Sequence, residues 1–470
     1  MNEVEQASGG RRPTALDRLE ARLSWAVKAL PRTQVGGVVT EIAMSHYRVA
    51  GLSRFLRLGE CVSVDVGDRV QLGEVVRIED AVVTLKPFDS RCDAAIGARA
   101  YRADALSLAP HPSWKGRVID ALGRPIDGAG ELEPGDRAMP FDNEPPPALL
   151  RARVKKPIRS GIRVIDFFTP LCAGQRIGVF SGSGVGKSTL LAMLARAPDF
   201  DTVVIALVGE RGREVREFLD DALAANRQSA IAVVSTGDES PMMRRLAPRT
   251  AMAVAEYFRD RGESVLLIVD SVTRFAHAAR DVALAAGEPA VARGYAPSVF
   301  SDLPRLLERA GPGVEGSGSI TGIFSVLVDG DDHNDPVADS IRGTLDGHIV
   351  LDRAIADQGR FPAVNILSSV SRLANPTWSP EQRKLVSRLR SLIARYEETR
   401  DLRLMGGFTP GADALLDQAV KSVPRIYEAM TQTLSSPPCK DPFIELAAAL
   451  RNEGKDGEAA DRPPEPQRKG

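Results

Sequence analysis

A glycine-rich loop between a strand pattern and a helix pattern constrains this chain more than any other feature. The loop reads Ser181-Gly182-Ser183-Gly184-Val185-Gly186-Lys187-Ser188-Thr189; it follows the apolar run 176–180 and precedes the helical run 190–197. Glycines let the backbone wrap so that its N–H groups point at oxyanions, and the following helix adds its positive end. The sequence therefore predicts phosphate binding, with Lys187 on the β- and γ-phosphates and Ser188 on Mg²⁺. Ser181 replaces the first glycine of the usual motif.

The composition indicates a multidomain globular protein with no global charge. The chain has 470 residues and a formal net charge of −1, so no overall field draws it to nucleic acid. Its four cysteines are scattered without a C-x-x-C pair, which is typical of reduced thiols in the cytosol. The N-terminus lacks an apolar signal core, and no apolar run approaches membrane-spanning length. We expect a cytoplasmic protein that reaches the inner face of the cell membrane only through partners.

Changes in pattern divide the chain into five expected segments. These are a partner-docking helix at 1–31, a β-barrel at 32–105, a nucleotide-binding α/β domain at 106–375, a helical domain at 376–450 and a disordered tail at 451–470. In the first segment, leucines and Ala26 between Leu16 and Leu30 form one helical seam. That seam either packs on its own domain or docks a partner, and the spacing does not decide between the two.

The second segment has the pattern of short strands separated by turn-forming residues, which predicts a small barrel. It carries ten Lys/Arg and ten Asp/Glu between residues 32 and 105. A barrel that grips single-stranded nucleic acid normally has a basic groove with aromatic platforms. The balanced charge favours a role in assembly, and we expect no nucleic-acid partner.

Polar side chains follow three strand patterns of the α/β domain. Lys187 and Ser188 follow 176–180, Glu210 follows 202–208, and Asp270 follows 264–269. Because ligands bind at the carboxyl ends of parallel strands, we expect these groups to converge at one sheet edge. Asp270 then fits a carboxylate that holds Mg²⁺ beside Ser188.

Three further side chains have two interpretations each. Glu210 either polarises a water for attack on the γ-phosphate or is an acid that the helix dipole favours. Arg211 either braces Glu210 or the phosphate, or forms a surface salt bridge. Arg372 could neutralise charge on the transferred phosphoryl group, but composition alone does not distinguish it from the other arginines.

Several extended segments together resemble one family. They are Gly209 to Phe218, Asp270 to Ala276, Arg293 to Phe300, Leu303 to Gly311, Asp346 to Leu351 and Pro362 to Arg372. Over residues 30–440 the chain resembles the type III protein-export ATPases, homologues of the catalytic subunit of rotary ATP synthase. The resemblance implies a RecA-like core that hydrolyses ATP with Mg²⁺. Ser181 and Asn365 depart from common family residues, but neither position carries the chemistry.

The resemblance also implies roles for particular residues. Glu210 becomes the expected catalytic carboxylate, with Lys187 and Arg211 beside it, and Arg372 becomes the arginine finger that reaches a neighbouring subunit's nucleotide. Phe361 lies where the family places an aromatic ring against adenine. The loop residues Ser183, Gly184, Val185, Gly186, Lys187, Ser188 and Thr189 are expected to bind the nucleotide, and Ser188 and Asp270 to hold the metal.

The partners that the resemblance implies are other copies of the chain, in a homohexamer, and components of an export machine. A stator-like regulator is expected at the N-terminus and a central stalk protein at the acidic loop 328–336. The others are a membrane export gate and the export substrates with their chaperones. The segment Ala338 to Leu345 favours the flagellar members over the virulence-injectisome members. An injectisome ATPase, an RNA-translocating hexamer and a non-catalytic ring subunit stay as alternatives.

Overall fold

The computed structural model describes residues 34–226, 228–328 and 335–459, and the single position Leu16. The docking seam apart from Leu16, the acidic loop at 329–334 and the tail from 460 lie outside the described residues. The chain divides into two compact units. One comprises the residues up to Leu85 together with Cys92–Asp104, and the other comprises Lys86–Arg91 and the residues from Ala105 onward.

The first unit contains a closed six-stranded barrel with the strand order β1-β2-β5-β4-β3-β6. Its strands are β1 Gly36–Ile42, β2 Tyr47–Ala50, β3 Cys61–Val66, β4 Arg69–Ile78, β5 Val82–Pro87 and β6 Arg99–Arg102. Val49, Val62 and Val64 are among the side chains that fill the interior, because alternate residues of a strand point to the same face. The buried Tyr47 hydroxyl donates to Gln71 and accepts from the Ala94 amide, so this polar group is satisfied inside the barrel. The predicted barrel is confirmed.

The second unit is built on a mainly parallel sheet with the order β19-β18-β12-β17-β15-β13-β14-β8, and β16 pairs with β17. Two small pairs, β7 with β9 and β10 with β11, lie outside this sheet. The strands are β7 Ser107–Leu108, β8 Val118–Asp120, β9 Met139–Pro140, β10 Pro157–Ile158, β11 Leu171–Cys172, β12 Arg176–Ser181, β13 Thr202–Glu210, β14 Ala230–Thr236, β15 Ser264–Asp270, β16 Gly311–Pro312, β17 Ser319–Leu327, β18 Gly347–Val350 and β19 Val370–Ser371.

Helices pack on both faces of this sheet. The helices of the unit are α1 Arg163–Phe168, α2 Lys187–Ala195, α3 Gly212–Asn226, α4 Pro241–Asp260, α5 Val272–Ala285, α6 Pro297–Leu307, α7 Pro336–Thr344, α8 Arg353–Ala356, α9 Pro380–Glu398, α10 Arg400–Leu404, α11 Ala414–Met430 and α12 Pro442–Ala459. Ile205 and Leu207 of β13 share a core with α2 and α3, and the alternate residues face the other side, where α4 packs on β13, β14 and β15. This arrangement confirms the predicted α/β class.

A helical region follows the sheet. Helix α9 begins with a capping box in which Ser379 and Gln382 satisfy each other's backbone amides. Its core joins that of the nucleotide-binding domain through Leu392, Val423 and Ile426. Helix α12 continues to Ala459. Residues 451–459 are therefore helical, whereas the sequence pattern predicts a disordered tail that begins at residue 451. Within the described part, no helix is both long and apolar enough to span a bilayer.

Candidate functional site

The glycine-rich loop connects β12 to α2, at the carboxyl end of a strand flanked by β17 and β18. Gly184 and Gly186 have φ values of +77° and +92°, a left-handed conformation that favours glycine. Arg353 donates to the Ser183 carbonyl at 2.9 Å and so holds the outer part of the loop. The loop leaves Ser183, Gly184, Ser188 and Thr189 exposed, and it has the local geometry expected of an oxyanion cradle.

Four charged side chains converge beside this loop. Lys187 donates to Oδ1 of Asp270, and its Nζ lies 3.8 Å from Oε1 of Glu210. Nη1 of Arg274 lies 2.7 Å from the other carboxylate oxygen of Glu210. Two cations and two carboxylates therefore face one another at the sheet edge, with Glu210 and Asp270 both buried.

Strand pairing accounts for this convergence. In the β13–β15 ladder, Asp270 pairs with Leu207, three residues before Glu210. The neighbouring strand β17 contributes Ser325, whose hydroxyl donates to Asp270 Oδ1 at 2.9 Å. Because parallel strands end at the same edge, residues far apart in the chain meet there.

The pKa of Glu210 is raised, first by burial and then by the Asp270 carboxylate, while Lys187 and Arg274 oppose the rise. The two cations thus hold a negative charge where burial alone would neutralise it. A carboxylate with a raised pKa is a better proton acceptor, which is what a general base requires.

The residues present fit a magnesium nucleotide. Lys187 and Ser325 both donate to Oδ1 of Asp270, so within the described structure Oδ2 can accept from a cation's water. Ser188, the second helical residue of α2, is exposed and directly follows Lys187, which contacts Asp270. The described residues contain no cluster of three His, Cys, Asp or Glu that could hold a metal alone. A cation here would take its other oxygens from phosphate and water, as Mg²⁺ usually does.

Arg211 lies outside the charged cluster. Its side chain is exposed, and Nη1 lies 3.1 Å from Glu214 on the first turn of α3. Arg274, which lies within the segment Asp270 to Ala276, contacts Glu210 instead. Ser271 caps α5 and accepts from the Arg274 amide, which places Arg274 in the first helical turn after Asp270. The Asp-Ser-x-x-Arg spacing is the sequence signal that places Arg274 there. The catalytic role of Arg211 stays a prediction.

Arg372 lies at the opposite edge of the sheet from its own phosphate-binding loop. It directly follows β19, whose Ser371 pairs with Gly347, and Gly347 pairs with Ile177 near the beginning of β12. The loop starts after Ser181, which lies four residues beyond Ile177 along β12, a distance of about 13 Å. The exposed Arg372 side chain therefore belongs to a different surface from Lys187 and Glu210.

Phe361 lies close to the phosphate-binding loop. The residue is 42% exposed, and a Cβ added to Gly186 would lie 3.6 Å from two of the Phe361 ring atoms. A flat apolar surface of this kind is suited to stacking a nucleobase. The adenine contact itself stays a prediction.

Comparison with known families gives two matches that divide the second unit. Residues 161–371 match the model of the ATP synthase alpha/beta family, nucleotide-binding domain, and residues 378–446 match the T3SS EscN ATPase C-terminal domain.

Curated relatives match over most of the chain. The flagellum-specific ATP synthase of Agrobacterium fabrum is 57% identical, with coverage of 90% of this chain and 89% of that protein. That of Rhizobium meliloti is 58% identical, with coverage of 88% and 89%. The SPI-2 type 3 secretion system ATPase of Salmonella typhimurium is 44% identical, with coverage of 80% and 86%.

Solved structures match the same fold. The assembled ATPase EscN from the enteropathogenic E. coli type III secretion system has a TM-score of 0.82 at 38% identity, covering 88% of this chain and 99% of that one. EscN in complex with its central stalk EscO has a TM-score of 0.80 at 37% identity, again covering 88% and 99%.

Proposed function

Because this chain belongs to the flagellum-specific ATP synthases, type III export ATPases with an ATP synthase alpha/beta nucleotide-binding domain, we propose that it energises flagellar protein export as a homohexameric ring with shared active sites. The protein is an ATPase. The flagellar relatives of Agrobacterium fabrum and Rhizobium meliloti exceed the SPI-2 enzyme in identity by more than ten percentage points, 57% and 58% against 44%, whereas the flagellar relative of Bacillus subtilis, at 41%, does not. This difference favours flagellar over injectisome export.

The convergence of Lys187, Glu210, Asp270 and Arg274 carries the proposal. In-line hydrolysis needs a cation on the γ-phosphate and a base for the attacking water. Lys187 lies on the cradle, where phosphate oxygens would compete with Asp270 for its ammonium group. Glu210, held by Arg274, would accept the proton of the water. A non-catalytic ring subunit has no use for this base.

Ser188 and, through water, Asp270 would hold Mg²⁺, which would supply positive charge beside the phosphates. The chain's own residues position the reactants: the loop amides bind phosphate, and Phe361 stacks on the base. Asp270 is kept in place by Ser325, so the cation site is rigid on the side of the sheet.

Arg372 would complete the site of the next subunit. It cannot serve its own loop without crossing the sheet, because its strand pairs with the beginning of β18. A guanidinium from a neighbour would stabilise the charge that develops on the transferred phosphoryl group. A lone subunit would then lack a catalytic group, and turnover per chain would fall on dilution.

The other proposed partners are those of an export machine. A central stalk accompanies EscN in its solved complex, and we propose an equivalent partner here. A stator-like regulator at the N-terminus, the membrane gate, export substrates and chaperones complete the set. The protein would then work at the inner face of the cell membrane, held there by these partners.

Mixing two inactive variants tests the shared site. Lys187→Ala lacks the phosphate lysine and Arg372→Ala lacks the finger, so each alone should hydrolyse little ATP. In a random one-to-one ring, about a quarter of the interfaces pair an intact loop with an intact arginine. We expect about a quarter of wild-type phosphate release after mixing.

The matched control mixes Lys187→Ala with Glu210→Gln. Both defects lie in the subunit that presents the loop, so no arrangement of the ring restores a site. The shared-site proposal is wrong if both mixtures stay inactive while mixed rings form, or if both regain activity alike. Full turnover by a verified monomer would also contradict it.

A further inference from the structure

A cleft runs between the segment that carries Phe361 and the helical region. Two adjoining cavities of about 640 and 230 Å³ share the lining residues Gln358, Arg360, Glu397, Arg400 and Tyr427. The first two residues lie in the nucleotide-binding domain, just before Phe361. Glu397 is near the end of α9, Arg400 begins α10, and Tyr427 lies in the last turn of α11.

Arg360 joins the two walls of this cleft. Its guanidinium carbon lies 3.6 Å from the centroid of the Tyr427 ring, which is stacking distance. Nη1 of Arg360 donates to Gln358 at 3.3 Å and lies 4.0 Å from Glu397. The Tyr427 hydroxyl donates to the same Glu397 carboxylate at 2.5 Å. The arginine therefore sits on a ring that α9 and α11 together hold in place.

The next residue along the chain is held by the same helical region. The Gln432 amide donates to the Phe361 carbonyl at 2.9 Å. The side chain of Gln432 is itself held, because it accepts from the Arg163 amide and donates to the Gly161 carbonyl. The backbone of Phe361 is therefore fixed by Gln432, and the side chain before it is fixed by Tyr427.

The ring of Phe361 approaches the glycine loop at Gly186. It is partly exposed, and the glycine loop near Gly186 offers it only a backbone without a side chain. The position of the ring over the loop then depends on how firmly residues 360 and 361 are anchored. Of the two anchors, only the Arg360 stack can be removed by a side-chain substitution without breaking a backbone hydrogen bond.

We propose that Arg360 is a positioning residue for the nucleobase, acting through its stack on Tyr427 to hold Phe361 over the phosphate-binding loop. The inference rests on the proposed function, since Phe361 contacts adenine only there. It also makes the adenine site a point where the helical region senses the nucleotide, because α9 and α11 supply the anchor. No group of Arg360 needs to touch the phosphates.

Arg360→Ala tests the proposal by separating base binding from phosphate binding. We expect KM for MgATP to rise about three- to thirtyfold, the range of a partly buried cation–π contact, with kcat within about twofold of wild type. Inorganic tripolyphosphate carries the phosphates without adenine. As a competitor of MgATP, its inhibition constant should be unchanged in the variant. An unchanged KM, or an equal loss of affinity for tripolyphosphate, would overturn the proposal.

Two tyrosine variants identify the contact. Tyr427→Phe keeps the ring and should keep KM near wild type, whereas Tyr427→Leu should resemble Arg360→Ala. The double variant Arg360→Ala/Tyr427→Leu should be no worse than the worse single variant, because both remove one contact. Additive effects would contradict a shared route. Arg360→Lys, which keeps the charge but loses the planar stack, should fall between wild type and Arg360→Ala.

Arg400→Ala is the matched control, since this exposed arginine lines the same cleft and makes no ion pair or hydrogen bond with the described residues. Its KM should not change. Phe361→Ala separates the two proposals. If it leaves KM for MgATP unchanged, the adenine role in the proposed function fails. If it raises KM while Arg360→Ala does not, only the inference about Arg360 fails.

Discussion

Two groups of buried charge lie in the same unit and differ in how completely they are paired. Arg309 and Glu256 form a two-pronged ion pair with both N–O distances at 2.9 Å, and their side chains are 1% and 0% exposed. Nη1 of Arg309 donates to the Phe141 carbonyl and the Asn143 amide donates to Glu256, so the pair is satisfied on every side. The cluster of Lys187, Glu210, Asp270 and Arg274 is also largely buried, but it opens onto an exposed loop.

The difference separates a structural charge from a reactive one. The Arg309 pair has a fixed geometry and is closed to solvent. In the cluster, Lys187 sits between two carboxylates, and the pKa of Glu210 is raised by burial and by Asp270. Charges that can exchange partners can bind and release phosphate, whereas charges that are fully paired can only hold elements together. Four experiments probe this contrast.

Glu210→Gln should have the largest effect. It removes the proton acceptor and leaves the shape, so turnover should fall about a thousandfold, within the usual range for general-base loss. The melting temperature and nucleotide binding should change little. Phosphate release and equilibrium binding measure the two properties. Glu214→Gln, which removes the partner of Arg211 on α3, is the control. If turnover of Glu210→Gln stayed within tenfold of wild type, Glu210 would not be the general base.

Arg309→Met should affect stability instead of chemistry. Removing one partner leaves Glu256 buried and unpaired, which should cost about 3–5 kcal/mol of the free energy of unfolding in urea. The exposed pair Arg305–Asp142 is the control, since Arg305→Met should cost less than about 1 kcal/mol. Turnover per folded molecule should be kept in both. A loss below about 1 kcal/mol for Arg309→Met would remove the distinction between the two pairs.

Asp166 is a third kind of buried charge, with no cation in its hydrogen-bond set. Ser160 and the Gly161 amide donate to it, yet burial raises the pKa of its carboxyl to about 6. The folded state therefore holds this proton more tightly than the unfolded state, whose pKa is near 3.8. The stability that Asp166 contributes is present below pH 4 and falls by about 3 kcal/mol as the pH rises through 6.

Wild type should lose stability between pH 4 and about pH 6.5, whereas Asp166→Asn should not. The free energy of unfolding of Asp166→Asn minus that of wild type should therefore increase over this range. Chemical unfolding at several pH values measures this difference. Asp127→Asn should show the opposite slope at lower pH, because Arg117 lowers the pKa of Asp127 and its contribution is lost as the pH falls. A flat difference for Asp166→Asn would mean that this carboxylate stays charged in the fold.

Arg274→Gln should have the smallest effect and bears directly on the reactive cluster. Arg274 lowers the pKa of Glu210, so without it the pKa of Glu210 rises further. The acid limb of the kcat/KM profile should move to higher pH, since the deprotonated base is needed. Arg280→Gln, on the same helix, should leave the profile in place. A shift to lower pH would show that Glu210 is not the titrating base.

The same contrast shows what could be predicted without coordinates. Lys187, Glu210 and Asp270 were predictable because each follows an apolar strand pattern, and parallel strands end together. The Asp-Ser-x-x-Arg spacing indicates that Arg274 lies in the first helical turn after Asp270, but its contact with Glu210 depends on how α5 leaves β15. Arg211 adjoins Glu210 in sequence and nevertheless pairs with Glu214, because adjacent residues at a strand end point to different sides. The Glu256–Arg309 pair joins α4 to residues beyond α6 and leaves no local signal.

The sequence by itself determined the phosphate-binding loop, the barrel and the strand ends that bear the acids, because glycine conformation and residue alternation are local properties. The tertiary structure alone decided which arginine holds Glu210, and that Arg372 lies across the sheet from its own loop. Those facts depend on the register of strands that are far apart in the chain, and a shift of register would move every side chain involved.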